Sequence, residues 1–157
     1  MTKDIKLEKN LTKKEVVKKD YIYTIGRRKE SVVRVRLYNN NTSWDGVSVN
    51  KGDIIVNKKK ADEYFGIDAA RVYKEPLVIT GTENKFAITV RTQGGGMSGQ
   101  LSAMVLGIAR AINDFDKEKY RKALKKKGFL SRDARVRQRR KVGMGGKSRR
   151  KKQSPKR

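Results

Sequence analysis

The sequence predicts an α+β protein, a two-layer α/β sandwich with a long basic C-terminal extension. Three observations lead there. β-rich runs come first and long helical patterns last, the order expected when helices gather on one side of a sheet. The best helix places Leu101, Met104, Val105, Ile108, Ala109, Ile112 and Phe115 on one apolar face. Positive charge then climbs steeply near the end of the helical region.

The elements follow in order. Tyr21–Ile25 is a β-rich run, and Gly26-Arg27-Arg28-Lys29-Glu30 connects it to Ser31–Tyr38. There Val33, Val35 and Leu37 alternate with Arg34 and Arg36, a strand with one buried and one wet, cationic face. Asn39–Ser43 reads as a loop. Val47 and Val49, then Ile54–Val56, flank the turn signal Asn50-Lys51-Gly52-Asp53 and predict a hairpin. Ala61–Phe65 suits a short helix. Pro76 opens a further β-rich run, Leu77–Thr80. Phe86, Ile88 and Val90 alternate with Ala87, Thr89 and Arg91 and give the clearest strand. Ser98 is the expected N-cap of the long helix. Asp116 is expected to cap a last helix through Lys127, which Gly128 stops.

Charge divides the chain. Of 157 residues, 41 are Lys or Arg and 16 are Asp or Glu, a net charge of +25. Residues 1–19 carry +4, residues 20–118 carry +3 and residues 119–157 carry +18. The middle is therefore an ordinary globular segment able to bury a small core. Beyond Gly128 the large apolar residues are Phe129, Leu130, Val136, Val142 and Met144. Their burial does not match the entropy of ordering about thirty residues. The expected organisation is a mobile basic extension (1–19), a globular body (20–127) and a basic tail (128–157) that orders on RNA.

Composition excludes several functions. With no Cys and no His, zinc, iron–sulfur and haem ligation, disulfides and histidine general bases are all absent. The most apolar stretch, Leu101–Ala109, is too short to span a bilayer and ends at Arg110. The first residues lack the apolar block of a secretory signal, so cytosol is the default compartment. Asp62, Glu63, Asp114, Asp116 and Glu118 sit at helix ends and form no catalytic pair. No enzyme activity, cofactor, membrane or small-molecule substrate is expected.

What a polycation of this kind expects is an acidic partner, nucleic acid first. Arg27, Arg28, Lys29, Arg34 and Arg36 put five cations on neighbouring sites, with Glu30 the one acid able to pair with them. The loop Gly94-Gly95-Gly96-Met97-Ser98-Gly99-Gln100 precedes a helix, where free N–H groups favour phosphate. A tight strand-to-helix turn explains the same glycines. Gln100 and Leu101 stand where a P-loop needs Lys and Ser or Thr, so nucleotide hydrolysis is not expected. Gly96–Gly99 also spells the GXXG of a KH domain, although that loop joins two helices. Gly146-Lys147-Ser148 has no strand before it and no P-loop glycine at Lys141. In the tail, Arg132, Arg135, Arg137, Arg139, Arg140, Lys141, Lys147, Arg149 and Arg150 offer forks that grip phosphates and stack on bases. RNA contacts are expected at these tail residues, at the five body cations and at Gly94, Gly95, Gly96 and Gly99.

Several pieces together resemble one family. They are Gly26-Arg27-Arg28-Lys29, Glu63-Tyr64-Phe65, Gly94–Gln100, Lys127-Gly128-Phe129, Ser131-Arg132-Asp133-Ala134-Arg135, Arg140-Lys141-Val142-Gly143 and Lys156-Arg157. In this order and spacing the chain resembles bacterial-type small-subunit ribosomal protein number nine over about residues 21–157. The resemblance implies a sandwich like the second domain of ribosomal protein S-five. It implies binding to small-subunit ribosomal RNA in the subunit head, beside neighbouring ribosomal proteins. It also implies a tail whose Lys156 and Arg157 touch peptidyl-site tRNA. The chain departs from the family's usual Pro-Gln-Phe-Ser-Lys-Arg ending, with Gln153-Ser154-Pro155 before Lys156. The other reading is a free nucleic-acid architectural protein or RNA chaperone.

Overall fold

The computed structural model describes residues 20–139. Its sheet grows from a hairpin. Strands β1 (Tyr21–Arg28) and β2 (Ser31–Tyr38) pair antiparallel around the two-residue turn Lys29-Glu30, with Lys29 at φ 50°. The first strand thus runs through Gly26-Arg27-Arg28, which the sequence pattern assigned to a connection. β2 pairs antiparallel with β7 (Ala87–Gln93), which pairs parallel with β5 (Ile54–Val56). The short β6 (Lys59–Lys60) closes the order β1-β2-β7-β5-β6.

The expected hairpin of Val47–Val49 with Ile54–Val56 does not form. β4 (Val47–Val49) pairs instead with β3 (Thr42–Trp44), which begins in the segment Asn39–Ser43 read as a loop. The cause is Asp45-Gly46, with φ of 51° and 83°, a dipeptide that suits a two-residue hairpin turn. The Asn50–Asp53 turn does exist, closed by the Asp53 N–H on the Asn50 carbonyl at 3.0 Å. It passes the chain into the main sheet rather than folding it back. Ile54, Ile55 and Val56 are all buried, as a strand covered on both faces requires.

The second correction concerns Leu77–Thr80. It belongs to a helix, α2 (Ala70–Thr80), and Pro76 lies inside it. Proline in a helix removes a hydrogen bond and costs about 3 kcal/mol. Here Tyr73, Pro76 and Leu77 share the buried face, and that packing outweighs the β-branched run Val78-Ile79-Thr80. Gly81, at φ 62°, ends the helix: its N–H reaches the Val78 carbonyl and Thr82 N–H the Leu77 carbonyl. The short helix α1 (Ala61–Phe65) is where the sequence puts it.

α3 (Met97–Phe115) is the long helix, but its N-cap is Gly96, and Ser98 lies within the first turn. α4 (Lys117–Lys126) starts as expected, the Lys119 N–H donating to the Asp116 carboxylate at 3.0 Å, and Gly128 at φ 78° follows its end. Among the described residues no helix is long and apolar enough to cross a membrane. Val33, Val35, Leu37, Ile88 and Val90 of the sheet meet Met104, Ile108 and Ile112 of α3 in one core. The helices cover one face of the sheet. The β3–β4 hairpin covers one end of the other, through Val49, Ile55 and Ala87.

β1 and α3 touch almost backbone to backbone. A Cβ on Gly26 would collide with the Ala103 carbonyl and lie 2.9 Å from the Gly107 nitrogen. The Thr24 hydroxyl donates to the Gly107 carbonyl at 2.8 Å beside it. Gly26→Ala should therefore destabilise by about 3 kcal/mol, because the colliding atom is backbone and cannot rotate away. For a body of this size that lowers Tm by roughly 12–24 °C. Gly96→Ser, with nothing within 4 Å of the added carbon and φ −112°, should hold or raise Tm. Thermal melts of the free chain followed by circular dichroism check both.

Candidate nucleic-acid interface

Register decides which cations share a surface. On β2, Arg34 lies between Ile25 of β1 and Arg91 of β7, and Arg36 between Tyr23 and Thr89. Val32 lies between Arg27 and Gln93. These residues occupy the sheet face opposite the helices, since Val33, Val35 and Leu37 point into the core. Arg27, Arg34 and Arg91 are exposed and Arg36 is half-buried, its guanidinium 5.3 Å from the Tyr21 ring centre. Among the described residues, none of the four has a carboxylate within ion-pair distance, Glu30 included. Arg91 was absent from the cations singled out by sequence. The alternation Ile88, Val90 against Thr89, Arg91 gives its face, but only the β2–β7 register places it against Arg34.

Arg28 does not join this group. It lies on the helix side of β1 and holds the start of the tail. Its guanidinium pairs with Asp133 at 3.0 Å and donates to the carbonyls of Asp133 at 3.3 Å and Arg135 at 2.7 Å. Asp133 in turn accepts from the Arg135 guanidinium at 2.7 Å and from the Arg135 N–H at 3.0 Å. Phe129 and Leu130 pack against the core just before this latch. The chain past Gly128 therefore stays tied to the body as far as Arg135. Arg132, Arg137 and Arg139 are exposed, on a stretch without helix or strand, and Lys29 is exposed at the hairpin turn. Arg140, Lys141, Lys147, Arg149, Arg150, Lys156 and Arg157, like residues 1–19, lie outside the described residues.

The glycine loop has a structural account on this chain. Gly94 and Gly95 adopt φ of 73° and 64°. A Cβ on Gly94 would lie 2.6 Å from the Glu30 carbonyl, and on Gly95 or Gly99 it would press on the Ser31 hydroxyl. Three of the four glycines thus let the loop pack on the β1–β2 turn, and only Gly96 faces open space. Met97, Ser98 and Gly99 are already helical, which is not the inter-helix loop of a KH domain. Gln100 locks the loop by donating to the Gly94 carbonyl at 3.1 Å and accepting from the Tyr64 hydroxyl at 2.9 Å.

The carboxylates serve the fold. Asp62 accepts from the Tyr73 hydroxyl; burial, and then this bond, raises the phenol well above its ordinary range. Asp116 caps α4. Among the described residues, no three His, Cys, Asp or Glu side chains gather as a metal site would need.

A small α+β body with one unneutralised arginine face and a latched basic tail is the profile of a protein built to bind a polyanion. The chain matches the ribosomal protein S9/S16 family over residues 26–157 and belongs to that family. It is thus a structural constituent of the ribosome that binds ribosomal RNA, and its family is not one of enzymes.

The latch has a pH signature. Hydrogen bonds from Arg135, side chain first and then backbone, hold the Asp133 carboxyl well below the usual carboxylate range, with Arg28 adding a smaller pull. A depressed acid contributes its stability in full above its unfolded value, about 3.9, and loses it only as pH falls through the lower folded value. Protection of the Arg135 amide against hydrogen exchange should therefore be constant from pH 7 to about 4. Arg28→Ala should lower that protection throughout the same range. Hydrogen exchange read by NMR decides, and equal protection in the variant would remove Arg28 from the latch.

Proposed function

We propose that this chain is the small-subunit member of its family, of bacterial type, working in cytoplasmic ribosomes. It binds RNA of the subunit head beside neighbouring ribosomal proteins, and its tail extends toward the peptidyl-site tRNA. The observation that carries this reading is the family match itself, which continues through the basic tail to Arg157. The body supplies the Arg27, Arg34, Arg36 and Arg91 face, and the latch at Arg28 and Asp133 gives the tail a fixed origin. Phosphate contacts from such residues position a protein on RNA without reading sequence.

Length is compatible with the tRNA contact. Beyond Arg135 the chain has 22 residues. At 3.3–3.6 Å per extended residue these reach up to about 75 Å. Lys156 and Arg157 at the end supply two cations for a phosphate backbone. The proposed body, 20–127, carries the fold, while the proposed N-terminal extension, 1–19, adds cations.

Two measurements test the proposal. The chain should sediment stoichiometrically with small subunits after a moderate salt wash. Deleting Lys156 and Arg157 should leave those subunits assembled and weaken peptidyl-site tRNA by about 1–3 kcal/mol, alike for all tRNAs. Residence in the large subunit would refute the assignment. Unchanged tRNA affinity would refute the role of the tip.

A further inference from the structure

The open sheet face has a cup in it. Arg34, Arg36 and Arg91 line it together with Thr89, Trp44 and Asp45, around a cavity of about 190 Å³. Small-molecule pockets run to about 300–1,000 Å³, so this one suits a smaller group. Three features of the cup are unfavourable in the free protein. Arg34 and Arg91 are direct cross-strand partners, and like charges placed so destabilise a sheet. Arg36 adds a third guanidinium two residues along. Thr89 is 1% exposed, and its buried Oγ1 has no hydrogen-bond partner. An orphaned buried hydroxyl carries a desolvation cost of about 1–3 kcal/mol.

One anionic group with several acceptor oxygens relieves all three. It neutralises the guanidiniums and accepts from both the arginines and the hydroxyl. The wall of the cup adds a second requirement. Trp44 is half-buried, held by the cluster of Val49, Ile55 and Ala87 under the β3–β4 hairpin. A fixed indole beside a phosphate site offers a face for a nucleobase. Asp45 at the rim opposes an anion, but its carboxylate faces Lys58 at 4.0 Å.

Resting on the reading of the chain as a ribosomal RNA-binding protein, and deepening it, we propose that this cup is a subsite for one nucleotide unit of RNA. A backbone phosphate sits on Arg34, Arg36 and Arg91 and accepts from the Thr89 hydroxyl, and its base stacks on Trp44.

Trp44 is the chain's one tryptophan, so its emission reports this site alone. The full chain is titrated with small-subunit ribosomal RNA. Filter retention gives total binding, and Trp44 emission with acrylamide quenching gives occupancy of the cup. RNA should quench Trp44 and shield it from acrylamide. Arg91→Gln should weaken retention about tenfold, close to the lower end of what a hydrogen bond to a charged group supplies. Arg71→Gln, the same charge change on the exposed surface of α2, should change it less than about twofold. Thr89→Val should raise the Tm of the free chain, by removing the orphaned hydroxyl, and still weaken retention about fivefold. A merely structural threonine would not move the two in opposite directions.

RNA retained at full affinity by Arg91→Gln and Thr89→Val, with Trp44 emission unchanged in the parent chain, would overturn the subsite and leave ribosomal RNA binding intact. Failure of the parent chain to retain the RNA would instead overturn the functional reading, and the subsite with it. The parent's Trp44 response needs no variant, so a misfolded substitution leaves the decision in place.

Discussion

The contact between β1 and α3 at Gly26 sets the rest of the molecule. The strand and helix approach to a distance at which no Cβ fits between Gly26 and the Ala103 carbonyl. On the other side of the same crossing, a Cβ on Gly107 would lie 2.6 Å from a Val35 methyl. Two glycines, one per element, thus fix both the depth and the axial position of α3. Arg110, one turn along, then donates to the Ile25 carbonyl at 2.9 Å and ties α3 to β1 a second time. With α3 seated, the glycine loop before it is pressed onto Ser31. The end of β1 is brought beside Phe129 and Asp133. The latch, the loop and the core are consequences of one close approach.

The same seating segregates charge. The helix layer takes the apolar side of the sheet, so the odd positions of β1 and the even positions of β2 are left on the other face with their arginines. In water such a face is tolerable, because the charges are solvated and screened within about a Debye length. It is unfavourable where two arginines stand directly opposite one another, at Arg34 and Arg91, with Arg36 two residues along. Three of the described acids are engaged elsewhere: Asp133 in the latch, Asp116 in a cap, Asp62 on Tyr73.

Periodicity made much of this legible. The alternation in β2 and β7, the apolar face of α3 and the Asp116 cap all express local rules, and the layered class follows from their order. Pairing was not legible. Val47–Val49 and Ile54–Val56 looked like partners because a turn lies between them, whereas the stronger signal, Asp45-Gly46, stood unassigned just after the assumed loop Asn39–Ser43. Pro76 and the β-branched residues after it were read by propensity, and burial of Tyr73 and Leu77 overruled propensity. The site suffers from the same gap. Arg27 and Arg28 are adjacent in sequence and point to opposite faces, so one belongs to the open surface and the other to the latch. Arg91 is 57 positions from Arg34 and faces it across one ladder. No local rule supplies that register.

Buried polar atoms without partners separate the structural features from the open one. Among the described residues, Ser31 Oγ, Thr89 Oγ1 and Asn113 Oδ1 lack them. Ser31 is walled in by Gly95 and Gly99, and its neighbours are the chain's own backbone. Its cost belongs to the tight loop that sets α3. Asn113 donates through its amide to Asp114 at 3.1 Å, and its residue lines a separate groove with Arg110 and Arg121. Thr89 differs from both. It sits at the floor of a concavity whose other charged members are three guanidiniums and one acid already facing a lysine. A hydroxyl there adds nothing to the core that valine would not add better. Its value lies in an acceptor arriving from outside, and the surrounding charge admits an anion.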